Sequence, residues 1–145
     1  MSPSWKKIER VGTEAYPYWL EDDDACYYAR EFISGGGYAA SETNNLVTNF
    51  KKPPARKGLP EWKHKGIAIR RFATEIAIIG NIADFLVTCI PPSVIRSDPN
   101  YDSRLEDTLR ILKELKPTVV IKFPLSIDQN LPPAHLGGRR NPDEY

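Results

Sequence analysis

The stretch Asp84 to Ser93, DFLVTCIPPS, constrains the fold of this chain more than any other. Phe85-Leu86-Val87-Thr88-Cys89-Ile90 is an apolar run rich in β-branched and aromatic residues. It reads as a strand buried on both faces, the kind found in parallel sheets. Pro91 and Pro92 cannot donate to a ladder, so the strand has to stop there and pass into a loop at its carboxyl edge. In open α/β sheets ligands bind outside that edge. A core strand ending in an ordinary turn accounts for the same residues, so the run alone leaves both readings open.

The flanking segments supply the rest of an α/β pattern. Cys26 to Phe32 reads as a strand, closed by Gly35-Gly36-Gly37, which lacks phosphate-loop spacing and reads as a flexible turn. Ser41 is a good N-cap for a helix over Glu42 to Lys52, with Leu46, Val47 and Phe50 as its stripe and Pro53-Pro54 as its stop. From about Trp62 to Asn81, Ile69, Phe72, Ala73, Ile76 and Ile79 recur at helical spacing, while Lys65, Arg70, Arg71 and Glu75 lie mostly off that face. Gly80-Asn81 suits its C-cap. Asp98 with Pro99 predicts another helix start, running to Lys116 around Leu105, Leu109 and Leu112. Pro117 ends it, and Thr118 to Phe123 reads as a second buried strand. Strand, proline-rich loop, helix and strand form a βαβ unit, whose strands should be parallel and joined by a right-handed crossover.

At 145 residues the chain fits one domain, with 41% hydrophobic and 27% charged residues. We divide it into an N-terminal arm (1–24), an α/β core (25–123) and a Pro/Gly/Arg-rich mobile loop or tail (124–145). A formal net charge of +1 gives no global field toward nucleic acid or membrane. The two cysteines, Cys26 and Cys89, follow no metal spacing and suggest a reducing, cytoplasmic setting. No segment reaches the ~20 apolar residues of a membrane span. Glu21 to Asp24 reads as a solvated acidic turn. Between Lys51 and Arg71 eight Lys or Arg accompany one acid, Glu61, which suits a solvated loop better than a nucleic-acid backbone site. Ser93 has no histidine near it in sequence, and His64 and His135 lie on separate loops.

The tyrosine-bearing strand, glycine turn, helix ending Asn49-Phe50-Lys51-Lys52, second helix and strand ending Ile90-Pro91-Pro92-Ser93 resemble the type I phosphoribosyltransferases, ComF-like branch. Arg96 to Arg104 and the tail His135-Leu136-Gly137-Gly138-Arg139-Arg140 add to the likeness, which spans most of residues 25–140. The resemblance implies a partial phosphoribosyltransferase-like, Rossmann-like sheet with flanking helices and an N-terminal strand or hood. It implies that the loop of Pro92, Ser93, Val94, Ile95 and Arg96 presents backbone N–H groups, those after Pro92, to the pyrophosphate of phosphoribosyl pyrophosphate, with Mg2+ as accompanying ion. His135, Arg139 and Arg140, on a closing loop, would supply cations to the leaving group. The family's acidic strand end with its Thr-Thr-Gly ribose-phosphate loop has no counterpart here. The resemblance therefore covers the amino-terminal half of the fold.

Two functions follow as expectations. One is a phosphoribosyltransferase-like subunit that binds the pyrophosphate part of its ligand, or a nucleotide, and needs a partner chain for catalysis. An open sheet edge independently predicts a protein partner or self-association. The other is a non-catalytic nucleotide-sensing or protein-docking module of a toxin or phage-defence complex.

Overall fold

A computed structural model of the chain describes residues 4–8 and 25–131, and the chain divides into two compact units, Met1–Val47 and Thr48–Tyr145. In the first, β1 (Lys6–Lys7) pairs antiparallel with β2 (Tyr27–Tyr28), placing Lys6 opposite Tyr28. The strand expected over Cys26 to Phe32 is therefore two residues long. Just past it, Asn44, which is fully buried, captures both backbone groups of Ile33. Its Oδ1 accepts the Ile33 N–H at 3.0 Å, and its Nδ2 donates to the carbonyls of Ile33 (2.9 Å) and Gly37 (2.8 Å). α1 (Glu42–Phe50) starts where the sequence places it, with Ser41 Oγ accepting the Asn44 N–H at 3.0 Å. The glycine turn is thus clamped to the helix start. Gly37 has φ +67°, and a Cβ on Gly36 would meet the Ala40 Cβ at 2.6 Å.

In the second unit, prolines open two 3-10 turns, Pro54–Arg56 and Pro60–Trp62, and the latter runs into α2 (Lys63–Ala77). The helix ends at Ile78 rather than at Gly80-Asn81. Positive φ occurs, among the described residues, at Gly35, Gly37 and Gly58, so Gly80 is no left-handed cap. A 3-10 turn over Ile82–Asp84 intervenes before β3 (Leu86–Val87). α3 (Arg104–Leu115) follows, then β4 (Val120–Ile121). α3 begins five residues later than Asp98-Pro99 suggests. Asp98 instead closes a turn, its carbonyl taking the Tyr101 N–H at 2.9 Å and its Oδ1 the Asn100 N–H at 2.8 Å.

β3 and β4 are parallel, Leu86 opposite Val120 and Val87 opposite Ile121, and α3 connects them. The expected βαβ order is present, in a two-stranded sheet. Its core is Ala77, Leu109, Leu112 and Val119, with Ile76, Ile82, Val87, Cys89 and Ile121 packed against it. The expectation of a strand buried on both faces fails. Val87 and Cys89 turn inward, whereas Leu86 is 60% and Ile90 74% exposed. Helices cover one face, and burial alternates with the pleat. On α2, Lys65 and Glu75 are buried despite lying off the apolar stripe. Among the described residues no helix is long and apolar enough to cross a membrane.

Candidate functional site

The segment from Pro91 to Ser103, which leaves β3 and leads into α3, separates two crevices, and Tyr101 lines both. The smaller, 220 Å³, lies beyond the carboxyl ends of β3 and β4 and is walled by Pro91, Val94 and Arg96 on one side and Phe123, Leu125, Ser126 and Ile127 on the other. Its floor is Glu106, from the first turn of α3, with its side chain 8% exposed. Arg96 Nη2 donates to Glu106 Oε1 at 2.6 Å, the Tyr101 hydroxyl donates to the same oxygen, and Arg110 Nη2 reaches Oε2 at 3.4 Å. The Arg96 guanidinium also lies 5.6 Å from the centroid of the Tyr101 ring. Burial, reinforced by the Glu106 carboxylate, pushes the Tyr101 hydroxyl up to about 12. Burial also pushes the Cys89 thiol up, with Glu106 adding to it, so this cysteine stays a neutral thiol rather than a nucleophile.

Of the residues singled out in the sequence, Pro92 to Arg96 occupy the loop at this crevice. Their amides are only partly open to a ligand. The Ile95 N–H donates to Asn130 Oδ1 at 2.8 Å, and the Ser93 carbonyl accepts the Leu131 N–H at 2.8 Å. Asn130 Nδ2 then donates to Asp98 Oδ2 at 2.8 Å; the Asn100 backbone amide, and after it this Asn130 bond, hold the Asp98 carboxyl below the usual carboxylate range. Residues 124–131 therefore fold back onto the loop after β3. His135, Arg139 and Arg140 lie outside the described residues.

The larger crevice, 470 Å³, brings Lys57, Trp62 and Lys65 from the basic stretch against Tyr101, Asp102 and Asp107. Lys65 is 4% exposed and donates to Asp102 Oδ2 (2.8 Å) and to the carbonyls of Phe50 (3.1 Å) and Lys52 (2.6 Å). Burial pulls its ammonium below the usual lysine range, against the pull of Asp102. All three donors are engaged, so Lys65 is a cationic staple on the carbonyl end of α1 rather than a base. Asp102 also binds Arg104 Nη1 at 2.6 Å. The basic stretch is thus shared among partners: Lys52 Nζ donates to the Glu61 carbonyl at 2.7 Å, and Arg71 pairs with Glu75 at 3.2 Å.

Sequence reasoning passed over Tyr101, Asp102 and Glu106. The signal was there in Ser103-Arg104-Leu105-Glu106, an S-x-x-E pattern that marks a helix start and places two acids in the first turn. Chemically, the smaller crevice offers one exposed guanidinium over a buried carboxylate, with apolar walls. Among the described residues no group of three His, Cys, Asp or Glu converges. Compared with known proteins, the chain matches no family model, no curated protein and no solved structure.

Proposed function

We propose that the chain is a ligand-binding α/β subunit of the phosphoribosyltransferase-like, Rossmann-like kind, which takes the phosphate end of phosphoribosyl pyrophosphate or a nucleotide at the 220 Å³ crevice. One observation carries this reading. Parallel β3 and β4 open their carboxyl ends into a single crevice, where strand-end loops and a guanidinium meet. The volume lies below the ~300–1,000 Å³ of a site that encloses a whole drug-sized ligand, so it suits one end of the ligand. Arg96, 64% exposed, can turn from Glu106 toward a phosphate, because Glu106 keeps Tyr101 and Arg110 as partners. Among the described residues that line the crevice, Glu106 is tied up by Arg96, Tyr101 and Arg110, so the reading is of a subunit that binds its ligand. Catalysis would need the partner chain.

Calorimetric titration with phosphoribosyl pyrophosphate, inorganic pyrophosphate and AMP tests this. Saturable heat at about 1 mM ligand or less is expected from at least one of them, weakened about tenfold in Arg96→Gln. No saturation with any of the three, or unchanged binding by Arg96→Gln, overturns it. The solvent-facing side of the sheet favours the docking module as a second reading, since parallel strands are ordinarily covered on both faces.

A further inference from the structure

The outer edge of β4 has the features of a strand-acceptor site. Lys122 donates its N–H to Val87 at 3.1 Å, so Ile121, one residue back along the pleat, turns its N–H and C=O away from β3. Beside that edge runs a groove of 410 Å³ between β4 and α3, floored by Leu109 and Ile121 and walled by Phe123. Val120 and Phe123 are 48% and 42% exposed. Its charged lining is wholly basic: Arg110, Lys113 and Lys122. Lys113 Nζ donates to the Pro117 and Val119 carbonyls (2.8 and 2.7 Å), which leaves its charge uncompensated. Among the described residues no carboxylate lies within salt-bridge reach of Lys113 or Lys122.

We infer that this edge binds an extended, acidic segment of a partner protein, which adds a strand beside β4. Main-chain pairing with Ile121 would hold it, apolar side chains on its face toward α3 would fill the groove, and carboxylates on its other face would meet Lys122, with Lys113 adding positive potential at the groove. Charge decides between occupants. A second copy paired through the same edge would bring its own Lys113 and Lys122 to this basic rim, and like charges facing each other across strands are destabilising. The inference rests on the reading that the chain works in a complex, and it is independent of the crevice ligand.

Fluorescence anisotropy of a labelled, capped Glu–Val alternating peptide on the full chain tests it, with no phosphate ligand present. Saturable binding is expected, weakened about tenfold by Lys122→Glu and falling as salt rises. The matching Lys–Val peptide should not bind, nor should a Glu–Val peptide N-methylated along one edge. Lys122 is exposed, so its reversal leaves the core untouched, and a matching melting temperature checks this. Failure of the Glu–Val peptide to saturate, or equal binding of the Lys–Val or N-methylated peptide, overturns the inference. So does a concentration-dependent dimer in sedimentation that Lys122→Glu abolishes, because the occupant is then a second copy. Because peptide and phosphate are titrated separately, either reading can fail while the other stands.

Discussion

Replacing Tyr101 by phenylalanine removes one hydroxyl from the floor of the strand-end crevice and leaves the ring over which Arg96 lies. Near neutral pH the variant loses a hydrogen bond to a buried carboxylate, worth about 1.5–3 kcal/mol, toward the lower figure because Glu106 keeps Arg96 and Arg110. The stronger test is in base. The Tyr101 hydroxyl ionises at about 12 in the folded chain against 10.0 unperturbed. Between those values the unfolded chain has released a proton that the folded chain still holds, so stability falls as pH rises. The contribution is complete below the lower value and gone above the upper. Two pKa units correspond to about 2.7 kcal/mol in all, and about half of that is lost by roughly pH 11. Urea unfolding of both proteins at a series of pH values, followed by tryptophan fluorescence, isolates this component, because every other titrating group is common to both. The wild type should lose stability faster than Tyr101→Phe above about pH 10. Parallel curves for the two proteins would refute the arrangement of Tyr101 against Glu106.

Asn44→Ala deletes an amide whose oxygen and nitrogen are both fully used, and strands the Ile33 and Gly37 backbone groups. At about 1 kcal/mol per bond the loss is about 3 kcal/mol, read by denaturant unfolding, and a loss under about 1 kcal/mol would show the clamp to be incidental. Lys65→Met removes the cation from Asp102 and the donor from two carbonyls, and should cost about 3 kcal/mol, at the low end for a broken buried pair because Arg104 still binds Asp102. A neutral or stabilising result would show that burying the ammonium costs as much as its bonds return.

The βαβ unit was legible because its signals are local. Leu109 and Leu112 recur at helical spacing, and β-branched Val119-Val120-Ile121 follows a proline, so helix, stop and strand each announce themselves. Which face a strand buries was not legible in Phe85 to Ile90, since six apolar residues in a row carry no alternation. The covering elements decide it, and here they reach Val87 and Cys89 only. Charged residues misled for a similar reason. Type and position on the helix assign Lys65 to solvent, yet its partner Asp102 is 37 residues away, and no short window contains both. Asp98-Pro99 carries a helix-start signal, but the Asp98 side chain finds a nearer amide at Asn100 and closes a turn instead.

These displaced charges bear on where an anion would be held. The resemblance to phosphoribosyltransferases implies a nest of backbone amides in Pro92 to Arg96, and the start of α3 is a second source of positive potential nearby. The first is spent in part within the chain and the second largely so. The Ile95 N–H belongs to Asn130, the Arg104 N–H is taken by Asp102 Oδ1 at 3.2 Å, and Glu106 and Asp107 sit in the first turn of α3. Carboxylates there already satisfy the helix dipole, whose reach is about one turn. What remains is the Arg96 guanidinium, held at the rim by a carboxylate that has two other donors. Phosphate affinity in this crevice should therefore depend on a side chain rather than on loop amides, the reverse of the balance that the sequence suggested.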